Sequence, residues 1–111
     1  MGCWTVLVRN VVIRLKPRAL NQFIQIFNSE VVSILRRQLG FLDAFIFSIA
    51  PNGTEVIAIS LWSAGEYVEA YNATGYGDVL YSLRDVLDGT PRVRVAHVIG
   101  STLYTHVTAE A

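Results

Sequence analysis

Residues Ser60–Asn72 read SLWSAGEYVEAYN. An apolar run reaches a tryptophan and turns at once into a helix start. Ser63 and Glu66 have the spacing of a capping box, in which each side chain satisfies the other's backbone donor. A strand ending in Trp62 that feeds straight into a helix fixes the order of the second half of the chain. Upstream, FLDAFIFSIAPNGTEVIAISLW contains two strand-like runs flanking Pro51-Asn52-Gly53-Thr54. Asn-Gly tolerates the positive φ of a tight turn, so this segment predicts a β-hairpin. Downstream, Gly75-Tyr76-Gly77 interrupts the helix and Asp78 can recap a second segment. Val79, Leu83, Val86 and Leu87 give that segment an apolar face, and Gly89 ends it.

The first half is simpler. Residues 4–15, WTVLVRNVVIRL, are rich in β-branched types and predict a strand. Pro17 stops it and can open a helix. Leu20, Phe23, Ile24, Phe27, Val31, Ile34 and Leu35 share one helical face, which predicts an amphipathic helix over 18–39 with Gly40 as its left-handed cap. Residues 92–99, RVRVAHVI, alternate as a last strand, and TLYTHV beyond Gly100 extends it or forms a short fifth. The order is β-α-β-β-α-β, the ferredoxin-like plan: an α+β fold with a four-stranded antiparallel sheet and both helices on one face.

Composition narrows the function. A chain of 111 residues suits a single domain spanning 1–111. With 52% hydrophobic and 16% charged residues it is a packed globule rather than a disordered segment. Nine basic and nine acidic residues leave no basic excess for nucleic acid or an anionic membrane. No apolar run has the length of a spanning helix, and no charged region precedes an apolar leader. The single cysteine, Cys3, makes no internal disulfide, which fits a reducing, cytoplasmic setting. No His, Cys, Asp or Glu cluster has ligand spacing, so neither metal nor cofactor is expected.

Both faces of the predicted sheet are apolar. Val6, Val8 and Val12 lie on one side of the first strand, and Leu7, Val11, Ile13 and Leu15 on the other; Ile57, Ile59 and Leu61 oppose Val56, Ala58 and Trp62. Two helices cover one face only. A naked apolar face of that size is rare on a monomer. The economical cover is a second copy packed sheet to sheet, giving a homodimer.

The segments LGFLDAFIFS and ISLWSAGEYVEAY, set about a hairpin, resemble the antibiotic biosynthesis monooxygenase-like proteins, which are dimeric α/β barrels. The resemblance runs from about Val8 to about Leu103 and rests on Gly40-Phe41, on Trp62 and on the Ser/Glu/Tyr pattern behind it. It implies a hydrophobic small-molecule ligand, polyketide-, quinol- or fatty-acyl-like, and oxidation of it without a cofactor. The family's cofactor-independent monooxygenases use a Trp at the end of the third strand, matched by Trp62, and an Asn four residues earlier, where this chain has Ala58. Its haem-degrading members use an Asn, a Trp and a His, at positions occupied here by Asn10, Tyr71 and Tyr81.

These considerations nominate Trp62 and Asn10 as the catalytic pair in one cavity, with Tyr71 and Tyr81 on its helical wall and Arg14 at its mouth. Trp62 is expected on the dimer-facing side of the sheet. His97 is a further ligand-binding candidate, although a lone His on an apolar strand is more often structural. His106, near the terminus, is a weaker one. Two other readings stay open: a non-catalytic ligand-binding or dimerisation module, and a haem-binding protein using Tyr81 or His97 as an atypical ligand.

Overall fold

The structure is a computed structural model that describes residues 6–49 and 51–102. Four strands, β1 (Leu7–Arg14), β2 (Phe41–Ser48), β3 (Glu55–Trp62) and β4 (Arg92–His97), form one antiparallel sheet in the order β2-β3-β1-β4. The helices are α1 (Leu20–Ile26), α2 (Val32–Arg36), α3 (Gly65–Ala73) and α4 (Gly75–Leu83), with a π-helical turn at Phe27–Val31 joining α1 to α2. This is the expected ferredoxin-like arrangement, with the helical layer on one face. Cys3, His106 and all but the first residue of TLYTHV lie outside the described residues. Among the described residues no helix is long and apolar enough to cross a membrane.

Glycines close the two turns that set the strand order. Gly53 has φ +72° in the hairpin, where Asn52 Oδ1 accepts from both the backbone N–H and the hydroxyl of Thr54. Gly40 has φ +80° before β2, and the ring of Tyr67 packs where a Cβ would stand. The capping box does not form. The helix begins at Gly65 after an extended Ala64 that makes no side-chain cap, and the Ser63 N–H donates instead to the Gly40 carbonyl at 2.9 Å. That bond ties the end of β3 to the entry of β2, so Ser63 serves the sheet rather than the helix. The helix break falls at Thr74 (φ −129°, ψ −66°), and α4 starts directly at Gly75 rather than at Asp78.

Strand parity decides which face meets the helices. In β1, Leu7, Arg9, Val11 and Ile13 are buried, while Val8, Asn10 and Val12 are half-buried on the other face. Their β3 partners under the helices are Trp62, Ser60, Ala58 and Val56. One core unites the apolar members of these two sets with Phe23, Phe27, Val31, Leu35, Val68, Tyr71, Val79 and Leu83. Trp62, with no exposed surface, lies at its centre, its ring edge-on to Phe41 at 5.6 Å and tilted against Tyr71 at 5.1 Å. The expectation that Trp62 faces away from the helices is therefore reversed. Both faces of β3 are apolar, so hydrophobicity alone gave no sign of which one the helices would take. On the open face Phe45 and Phe47 of β2 remain exposed, beside Ile57 and Ile59 of β3.

Candidate functional site

Between sheet and helices lies a cavity of about 50 Å³. Its floor is Val11, Ile13 and Ala58, and its helical wall includes Val79, Leu80 and Leu83 of α4. The first helix contributes Phe23, Phe27, Val31 and Leu35, four residues at successive intervals of four. In a regular α-helix each such step drifts about 40° around the axis, so three steps would carry the last residue out of the wall. The wider turn at Phe27–Val31 takes back part of that drift and keeps all four in line.

The polar groups gather at one side. Arg9 is 3% exposed, although it belongs to the face of Leu7, Val11 and Ile13. Its Nε donates to Asn72 Oδ1 at 2.9 Å. Its guanidinium carbon stands 4.1 Å from the ring centre of Tyr76 and 4.9 Å from that of Tyr71. Ser60, its register partner on β3, lines the same cavity. No carboxylate among the described residues pairs with Arg9. The acids of α3 and α4, Glu66, Glu69 and Asp78, are all exposed. A cation is thus held inside an apolar wall by two aromatic faces and one amide. Burial pushes the Tyr71 phenol up to about 12, against the pull of the Arg9 charge and with a smaller rise from Tyr76. Tyr71 is accordingly a neutral donor at ordinary pH, not a base.

Trp62 stands one layer behind this cluster. Its indole Nε1–H donates to Ser60 Oγ at 2.8 Å. The bond fixes the serine hydroxyl while the ring backs Tyr71, so Trp62 supports the cavity without lining it.

The residues nominated from sequence are not brought together. Tyr71 lines the cavity, whereas Trp62 and Asn10 are on opposite faces of the sheet: Asn10 pairs with Ile59 and Arg94 on the open side, and Trp62 pairs with Leu7 beneath the helices. Their side chains point to opposite faces of the sheet. Tyr81 is 67% exposed and packs its ring under Arg84 at 3.9 Å, outside the cavity. Arg14, exposed at the end of β1, lines a separate polar groove of about 340 Å³ with Glu55, Asp88 and Arg92. His97 is exposed on the edge strand β4. Neither Tyr81 nor His97, the ligands a haem reading would need, lines the cavity, and no imidazole among the described residues does, so the described side chains do not suit haem. Arg9, Ser60 and Tyr76 were not nominated. The signal for Arg9 was a charge in phase with Leu7, Val11 and Ile13.

Fold and cavity together define an α+β protein of the ferredoxin-like class with a chamber beneath its helical layer. In fold the chain is similar to the antibiotic biosynthesis monooxygenase-like proteins. A monooxygenase from the ActVA-Orf6 gene of Streptomyces coelicolor, solved with the ligand nanaomycin D, superposes with a TM-score of 0.73 at 18% identity, over 95% of this chain and 96% of that one. SnoaB, a cofactor-independent oxygenase from Streptomyces nogalater, gives 0.71 at 16% identity over 89% and 97%. A protein of unknown function from Nitrosomonas europaea gives 0.73 at 14% identity over 91% and 96%. No family model matches the sequence. No curated protein matches it either.

Proposed function

We propose that the protein is a homodimeric α/β barrel that binds a flat, largely apolar small molecule beneath its helices and oxidises it with dioxygen, without metal or flavin. The observation that carries this reading is the cavity itself: apolar nearly throughout, with Arg9, Ser60, Tyr71 and Tyr76 gathered at one side. Such a wall selects by shape, while a few polar anchors orient the ligand. The likeness in fold to two oxygenases supports the same reading. Small-molecule sites usually measure several hundred Å³, so the present volume must widen. Tyr76 and Leu80 are only half-buried and follow the break at Thr74, which makes α4 the wall that yields. The exposed Phe45 and Phe47 support a partner copy on the open sheet face.

A suitable substrate for the test is 1,4-dihydroxynaphthalene. Monooxygenation would give 2-hydroxy-1,4-naphthoquinone, one oxygen atom entering the ring and the other leaving as water. Autoxidation would give the unhydroxylated quinone and hydrogen peroxide. Chelator-treated protein that accelerates oxygen uptake and yields the hydroxylated product supports the proposal. Ligand binding with oxygen uptake no faster than autoxidation would leave a binding module. Sedimentation showing only monomer at micromolar concentration would remove the dimer.

A further inference from the structure

We infer that the cavity takes its aromatic ligand as an oxyanion, with the Arg9 guanidinium as the counter-charge and Asn72 as the residue that positions it. The inference rests on the binding reading above and deepens it by naming the ligand's charge state. A guanidinium cannot shed its proton in a protein, so Arg9 stays charged wherever it is placed. Burying an ion without a counter-ion is unfavourable, and folded proteins normally pair it. Here no carboxylate does so among the described residues. The described groups in contact with the cation are neutral, Tyr71 and Asn72 from α3 and Tyr76 from α4, and so are its register partners Ser60 and Val95 on the flanking strands. No described buried side-chain N or O atom lacks a hydrogen bond, and among the described residues Arg9 makes only the Nε bond to Asn72. Among those residues the outer guanidinium nitrogens have no hydrogen-bond partner, on a side chain that lines the cavity. The side-on donor Nε is already taken, which leaves the end of the fork for a ligand oxygen.

The tyrosines strengthen the argument. Their rings flank the buried cation on two adjacent sides, so a ligand oxygen arriving there meets a weakly screened charge. Tyr71 remains a neutral phenol in that position and does not compete as the anion. Among the described residues the lining carries no carboxylate or imidazole to act as base. A phenolic or enolic ligand would thus ionise because the site binds the anion better, its proton going to bulk solvent. The shared chemistry is a flat aromatic oxyanion, either a phenolate or enolate or a carboxylate.

The test compares 2-naphthol, 2-naphthoate and 2-methoxynaphthalene, the last unable to ionise. A phenol of ordinary acidity titrates near 10, so free 2-naphthol is neutral at pH 7. We expect the wild-type protein to bind 2-naphthol at least about tenfold more tightly than the methyl ether, with the bound form showing naphtholate absorbance at pH 7. Arg9→Met should bring the affinity ratio to about one and abolish that absorbance, Arg9→Lys should retain part of both, and Asn72→Ala should weaken the preference several-fold. Tight binding of 2-naphthoate without ionisation of 2-naphthol assigns the counter-charge to a carboxylate ligand and still supports the inference. Equal affinity for naphthol, naphthoate and ether overturns it while leaving the binding reading intact. Failure to bind any of the three overturns both.

Discussion

Arg9→Met should make the ligand-free protein more stable. In the native state Arg9 is 3% exposed with no counter-ion among the described residues. The effective penalty for burying an ion is several kcal/mol. Three contacts offset it. Two aromatic faces contribute roughly 0.5–2 kcal/mol each, and the bond to Asn72 at 2.9 Å is a charge-assisted one worth about 1.5–3 kcal/mol at most. Asn72 is exposed and recovers water when the arginine is removed, so little of that bond is lost on substitution. Methionine fills a similar length and suits the apolar lining. The balance favours the variant by about 1–3 kcal/mol, in line with cases where buried ionic groups are replaced by apolar ones. Unfolding entropy of about 2.1 cal/mol/K per residue over this chain converts each kcal/mol into about 4 °C. Calorimetry of both proteins without ligand should therefore show Tm rising by about 4–12 °C in the variant, with sedimentation confirming the same oligomeric state. A Tm lowered by several degrees would mean that the guanidinium is a structural cross-link of α3 and α4, and the reasoning about an unpaired charge would fail.

Three other outcomes follow from the same geometry. Trp62→Phe should cost about 1–3 kcal/mol in denaturant unfolding, because it removes buried indole volume and the donor to Ser60, yet should change ligand affinity less than tenfold; unchanged stability with a large loss of affinity would put the indole in direct contact with ligand. Tyr71 has a native pKa near 12 against an ordinary value of 10, so between pH 10 and pH 12 the unfolded chain loses its proton first. Stability from this residue is full below pH 10 and should fall by about 1.4 kcal/mol per unit through that window, a slope that Tyr71→Phe should flatten in pH-dependent chemical unfolding. Phe45→Asp on the open face should shift sedimentation at micromolar concentration to monomer, and an intact dimer would show that the proposed interface lies elsewhere.

The element order was legible because its punctuation is local. Gly53, Gly40 and Gly89 each take the positive φ that such positions imply, and the helix interruption falls within a residue of Gly75. The placement of Trp62 was not legible. Val56, Ala58 and Trp62 on one side of β3 are no more apolar than Ile57, Ile59 and Leu61 on the other, so the pattern fixes parity but not which side the helices choose. The small residues Ala58 and Ser60 were the better clue, since they leave room for a void. Asn10 drew attention as a polar residue among valines, while its neighbour Arg9 did not. Only phase with Leu7, Val11 and Ile13 distinguishes it. The Ser63–Glu66 capping box matched in sequence, but the backbone of Ser63 was already committed to Gly40, a long-range partner that no local pattern reveals.

The π-helical turn at Phe27–Val31 carries a consequence for how such chains diverge. Removing one residue from that turn would leave an ordinary α-helix in which Val31 and Leu35 follow Phe23 by seven and eleven places, each within about 20° of it around the axis. Phe23, Val31 and Leu35 would therefore all stay on the cavity wall, because the extra residue and the wider turn cancel. A single-codon deletion could thus erase the π turn without moving the wall, any strand or any loop. Among chains of this fold, a one-residue gap opposite positions 27–31 would mark loss of the π turn, not a change in what the chamber holds.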